Sequence, residues 1–110
     1  MIELRGYIDE GGKKRFAEWL EELDAIAAAK VVIALARLEQ GNFSNTKGVG
    51  KGVFEYKIDF GPGYRIYFGK DGDRLIILIG GGTKKRQRQD IVEAHNCWAA
   101  YKRRTKEETQ

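Results

Sequence analysis

"VFEYKIDFGPGYRIYFG", residues 53–69, decides the fold. Before its Gly-Pro-Gly break, Phe54, Tyr56, Ile58 and Phe60 alternate with Glu55, Lys57 and Asp59; after it, Tyr64, Ile66 and Phe68 alternate with Arg65 and Tyr67. Side chains two residues apart leave a strand on the same face, so this period predicts two strands closed into a hairpin by Gly61-Pro62-Gly63. Arg65 and Tyr67 then share a face with Glu55, Lys57 and Asp59, and cross-strand pairing brings the five within reach of one another. After the turn "KDGD" (70–73), "RLIILI" (74–79) is an unbroken apolar run of strand length, the pattern of a strand near a sheet centre. The region predicts a three-stranded antiparallel meander.

Working outward, Ile2, Leu4, Tyr7 and Ile8 alternate loosely and predict an N-terminal strand that breaks at Gly11-Gly12. Phe16, Trp19, Leu20 and Leu23 fall at helical spacing, and Asp24 is placed to cap a second, alanine-rich helix that stops at Gly41-Asn42. So short a joint predicts a two-helix hairpin. "NFSNTKGVGKG" (42–52) reads as a loop. Ile91, Ala94, Trp98 and Tyr101 predict a C-terminal helix over about Gln87 to Arg103, which leaves 105–110 as a frayed tail behind a single domain at 1–104. The sum is an α+β fold, its helices on one face of a largely antiparallel sheet and the other face partly bare.

With 42% hydrophobic and 33% charged residues, the composition is that of a soluble globular chain. A net charge of +4, with basic residues clustered in "KKRQR" (84–88) and "KRR" (102–104), suits a polyanionic partner. Cys97 and His95 are the only residues of their kinds, which excludes an internal disulfide and a zinc site built on them. No segment has the length and apolarity of a membrane span or the look of an export signal, so a cytoplasmic location is expected, with no membrane partner and no cofactor or metal.

The chemistry expected follows from the sheet face. Arg65, Lys57 and Lys84 make a basic patch with Tyr67 beside it, and Gly80-Gly81-Gly82 lets a bound group approach the backbone. Without a His pair or a metal cluster, such a patch suits cleavage of RNA through its own 2′-hydroxyl. The substrate brings the nucleophile, and the protein aligns the backbone and neutralises charge developing on the phosphate. Tyr67 serves either as proton donor or acceptor or as a stacking surface for a base. Lys85, Arg86, Gln87, Lys47 and Lys51 are candidate RNA contacts. The bland alternative for Arg65 is an ion pair with Glu55 or Asp59; Trp19 and Trp98 are expected in the core, His95 as a half-buried helix residue, and Cys97 as inert.

"FAEWL" (16–20), "GN" (41–42), "KGVGKGVFEYKIDFGPGYRIYFG" (47–69) and "GGTKKRQRQDI" (81–91) together resemble the phage-type addiction-module killer proteins of the RelE/ParE toxin superfamily, close to the HigB-like toxins. The resemblance implies a RelE-like fold and a toxin of a type II toxin-antitoxin module, a metal-independent endoribonuclease acting on messenger RNA at the ribosome. It also implies a helix-turn-helix antitoxin (HigA-like) as cognate partner, with operator DNA bound only through the complex. The family's basic positions fall on Lys57, Arg65 and Lys84. Three residues depart from its pattern: Lys57 stands where arginine is more usual, Thr83 where an aspartate is expected, and Ile91 where relatives often carry Tyr or His. Two other readings stay open, a ParE-like gyrase poison and a catalytically degenerate chain that only binds its antitoxin or operator.

Overall fold

A computed structural model describes residues 1–108. Its elements run β1 (Glu3–Gly6), α1 (Arg15–Glu22), α2 (Ala25–Glu39), β2 (Thr46–Gly48), β3 (Val53–Ile58), β4 (Tyr64–Lys70), β5 (Leu75–Thr83), a single 3₁₀ turn (Lys84–Arg86) and α3 (Gln87–Glu108). The sheet has five strands in the order β1-β5-β4-β3-β2. The β3, β4 and β5 meander is antiparallel as expected, and β1 joins its far side in parallel with β5, Glu3 opposite Leu75 and Gly6 opposite Leu78.

The expected loop at 42–52 contains a strand. Thr46–Gly48 pairs with Phe54–Tyr56, and the chain turns back through Gly50–Val53, where Val53 N–H donates to the Gly50 carbonyl at 3.0 Å. Lys51 and Gly52 occupy the centre of that turn with φ of 55° and 83°, the left-handed pair of a tight hairpin turn. So small and polar a strand carries no alternation for a sequence reading to catch.

Asp24 caps α2 as expected, accepting from Ala27 N–H at 2.9 Å, and Gly41 leaves the helix with φ 76°. Phe16, Val31, Ala34 and Leu38 of α1 and α2 pack on Tyr56, Ile58, Ile66, Phe68, Ile76 and Leu78. The opposite face is not bare. α3 lies across it, with Ala94 and Trp98 packed on Val53, Tyr67, Ile77 and Ile79. The fold is therefore helix-sheet-helix in three layers, and α3 continues to Glu108, so residues 105–108 of the expected tail are helical. Thr109 and Gln110 lie outside the described residues.

One irregularity adjusts this second face. Tyr67 is opposite Gly80 but Phe68 is opposite Leu78, so Ile79 is an extra residue in β5. Such a bulge lets Ile79 join Tyr67 and Ile77 on the α3 side.

Candidate functional site

β3 and β4 bring the expected residues together as register dictates: Lys57 stands opposite Arg65, and Glu55 opposite Tyr67. Their exposure is not as expected. Arg65 is 4% exposed, and Tyr67 and Glu55 are each 1% exposed, because the start of α3 and the 3₁₀ turn cover the end of the sheet where they lie. A buried carboxylate opposite a buried guanidinium costs less than either alone, and this explains their common fate.

The Arg65 fork is directed at its own turn. Its Nη1 donates to the Gly63 carbonyl at 2.7 Å, the same oxygen that accepts from Lys84 N–H at 2.9 Å. Its Nε stands 3.9 Å from Glu55 Oε1, and Glu55 Oε2 accepts from Gln87 Nε2 at 2.8 Å. Of the two anions expected to pair with Arg65, Glu55 does so and Asp59 remains exposed on the strand end. Arg65 thus ties the Gly-Pro-Gly turn to the first turn of α3 through Glu55 and Gln87.

Around this buried core stands a rim of exposed cations. Lys47 on β2 reaches to 3.9 Å from Glu55 Oε1, Lys57 rises beside Arg65, and Lys84, Lys85 and Arg86 occupy the 3₁₀ turn. Lys57 also lines a shallow groove with Lys30 and Arg37 of α2. Sequence reasoning missed these two, although they are the only cations on α2 and lie seven residues apart, two turns along one face. Lys51 is separated from the rim. It sits at the β2-β3 turn, whose Gly52 abuts the Trp98 ring, at the far end of a six-residue strand that spans roughly 20 Å.

Tyr67 turns its hydroxyl into the interior, where it has no hydrogen-bond partner. Burial first, then the charges of Glu55 and Asp90, push its pKa well above the usual phenol range. The phenol stays protonated at neutral pH and can donate a proton or hydrogen bond but cannot act as a base. Asp90, one helical turn beyond Arg86, is itself raised by burial, while Arg86 opposes the shift from 3.9 Å.

The remaining single-copy residues behave as a core reading predicts. His95 donates through Nε2 to the Val49 carbonyl at 2.9 Å, and burial pushes the Cys97 thiol pKa up, away from the reactive thiolate. Trp98 is buried, and Trp19 packs over Gly81. Among the described residues there is no group of three or more His, Cys, Asp or Glu able to hold a metal ion, and no helix is long and apolar enough to cross a membrane.

Residues 18–104 match the family model described as "Phage derived protein Gp49-like (DUF891)". An uncharacterized protein of Haemophilus influenzae is 42% identical over 80 residues, which are 72% of this chain and 81% of that protein.

Proposed function

The chain belongs to the Gp49-like family of phage-derived proteins, a RelE-like toxin family associated with toxin-antitoxin modules, and from that premise we propose that it is the toxin of such a module, of the HigB-like kind, and an mRNA endonuclease. The observation that supports this reading is the rim of exposed cations on β2, β3 and the 3₁₀ turn, at one end of the sheet around the buried Glu55-Arg65 pair.

In this reading Lys57, Lys84 and Lys85 hold the phosphates on either side of the scissile bond, and Lys47 and Arg86 extend the track. The substrate's 2′ oxygen gives up its proton to solvent and bonds to phosphorus, the bond to the 5′ oxygen breaks and that oxygen takes up a proton, and the lysines offset the charge that accumulates on the phosphate. Arg65 acts from beneath: it fixes the turn that carries Lys84 and gives Glu55 its counter-charge. A cognate helix-turn-helix antitoxin would mask this rim and bring the pair to operator DNA.

Expression of the wild type and of Lys57→Ala/Lys84→Ala in a bacterium tests the proposal. Growth arrest with cleaved transcripts is expected from the wild type only, and intact transcripts during wild-type arrest would sink the nuclease reading. Inhibited supercoiling by gyrase in the absence of ribosomes would point to the other branch of the superfamily.

A further inference from the structure

β5 is longer than its neighbour. β1 pairs with it only from Leu75 to Leu78, so the edge from Ile79 to Thr83 has no strand beside it. α1 stands over this edge on one side and α3 on the other, and between them lies a cleft of about 170 Å³. Its floor is the backbone of Gly80 and Gly81, and one wall is the Trp19 ring. Nothing in the nuclease reading uses it.

The polar groups that reach the cleft are unusual in two ways. Three buried atoms on residues that line it have no hydrogen-bond partner: the Tyr67 hydroxyl, Asp90 Oδ2 and Arg15 Nε. Buried polar groups are satisfied in the great majority of cases, and three of the four such atoms without a partner among the described residues belong to residues of this cleft. Tyr67 is also 1% exposed, with its ring among the residues that line this space. The charges are unbalanced as well. Glu18, Glu22, Asp90 and Glu93 face Lys13 and Arg15, and Arg15 is committed to Glu93 at 3.4 Å. Arg86 approaches the Asp90 carboxylate at Oδ1, to 3.9 Å, while Oδ2 is buried over Gly82 with no hydrogen-bond donor.

We infer that this cleft is a binding site for an alkylguanidinium group, the end of an arginine side chain presented by a protein partner. A planar cation with several donors matches what the cleft offers: Asp90 Oδ2 and the Tyr67 oxygen as acceptors, and an indole wall for a flat guanidinium. The volume holds a guanidinium and a few methylenes but not a nucleotide, and the net negative lining repels phosphate. Bound cation would also favour the charged form of Asp90, which burial disfavours in the empty cleft. The site adjoins the cationic rim at Arg86, 3.9 Å from Asp90 Oδ1, but does not depend on the nuclease reading.

n-Propylguanidinium, whose only charge is the guanidinium, is the probe. Titrated into ¹⁵N-labelled full-length protein, it is expected to shift the Trp19 indole and the Gly80 and Gly81 amides along one saturable curve. The neutral urea analogue, n-propylurea, should bind at least tenfold more weakly. Asp90→Asn should weaken n-propylguanidinium binding by about 10- to 100-fold, the range of a charge-assisted hydrogen bond, and Glu22→Gln only about twofold. Should Asp90→Asn fold poorly, the comparison of the two ligands on the wild-type protein decides the matter alone. Linear, unsaturable shifts, or equal affinity for the charged and neutral ligands, would overturn the inference.

Discussion

Replacing Arg65 by alanine separates a structural from a purely catalytic role for this residue. The guanidinium is 4% exposed and stands 3.9 Å from a carboxylate that is itself 1% exposed. At an effective dielectric constant of about 20, charges at that separation attract by roughly 4 kcal/mol before desolvation is subtracted. Removing one partner leaves Glu55 buried and short of its cation, a situation that typically costs about 3–5 kcal/mol. The Gly63 carbonyl loses a donor but keeps Lys84 N–H, so the turn adds little further cost. For a domain of this size the loss corresponds to a fall in Tm of roughly 15–25 °C. A double-mutant cycle in urea with Glu55→Ala measures the pair itself. The double variant should be more stable than the sum of the singles predicts by about 1–3 kcal/mol, because no buried charge is then left alone. If Arg65→Ala costs under about 1 kcal/mol and the cycle is additive, Arg65 is not structural, and it returns as a candidate for direct contact with phosphate.

Tyr67→Phe should raise stability by about 1 kcal/mol in thermal unfolding, because the hydroxyl it removes is buried without a partner. In absorbance titration of the native protein Tyr67 should fail to ionise through the ordinary phenol range; since its folded pKa is raised, the associated stability is complete below the unfolded value near 10 and is lost as pH rises beyond it. A Gly69→Ala side chain would meet the Trp98 ring at 2.5 Å, whereas nothing lies within 4 Å of one at Gly80, so the first should cost about 1–3 kcal/mol in chemical denaturation and the second far less. Each of Lys57→Ala and Lys84→Ala should lower the salt dependence of single-stranded RNA binding by close to one charge in filter-binding assays, about 0.7 in slope, with Lys51→Ala as the unaffected control.

The sequence carried the meander and the places of all three helices, because each announces itself by a period, although α3 runs on to Glu108 past the expected end near Arg103. Asp24 and Gly41 mark the ends of α2 with local chemistry that tertiary contacts do not alter. What stayed hidden was which elements lie on which side. Alternation places Arg65 and Tyr67 on the face opposite Ile66 and Phe68, and that is correct, but no local signal says that α3 folds back over that face. The Ala94-Trp98 stripe of α3 is visible as apolar, yet its target depends on residues 40 positions earlier, Val53 among them. The network suffers likewise: Glu55 and Gln87 look like ordinary surface polar residues until register and the first turn of α3 bring them to 2.8 Å. Asp90 and Arg15 are invisible for a further reason, since they line one cleft across a strand edge that exists only because β1 is too short to cover it.

The parallel pairing of β1 with β5 has a temporal meaning as well as a spatial one. Every other strand contact joins neighbours in the chain, but Glu3 must wait for Leu75, and Tyr7 for the Leu78 carbonyl. Contacts between residues so far apart are slow to form and raise the contact order of an otherwise local fold. During synthesis the first strand therefore remains without its partner until Leu75–Leu78 has been made. A nascent chain halted before that point holds two helices and part of a meander, but not the finished sheet on which the cationic rim depends.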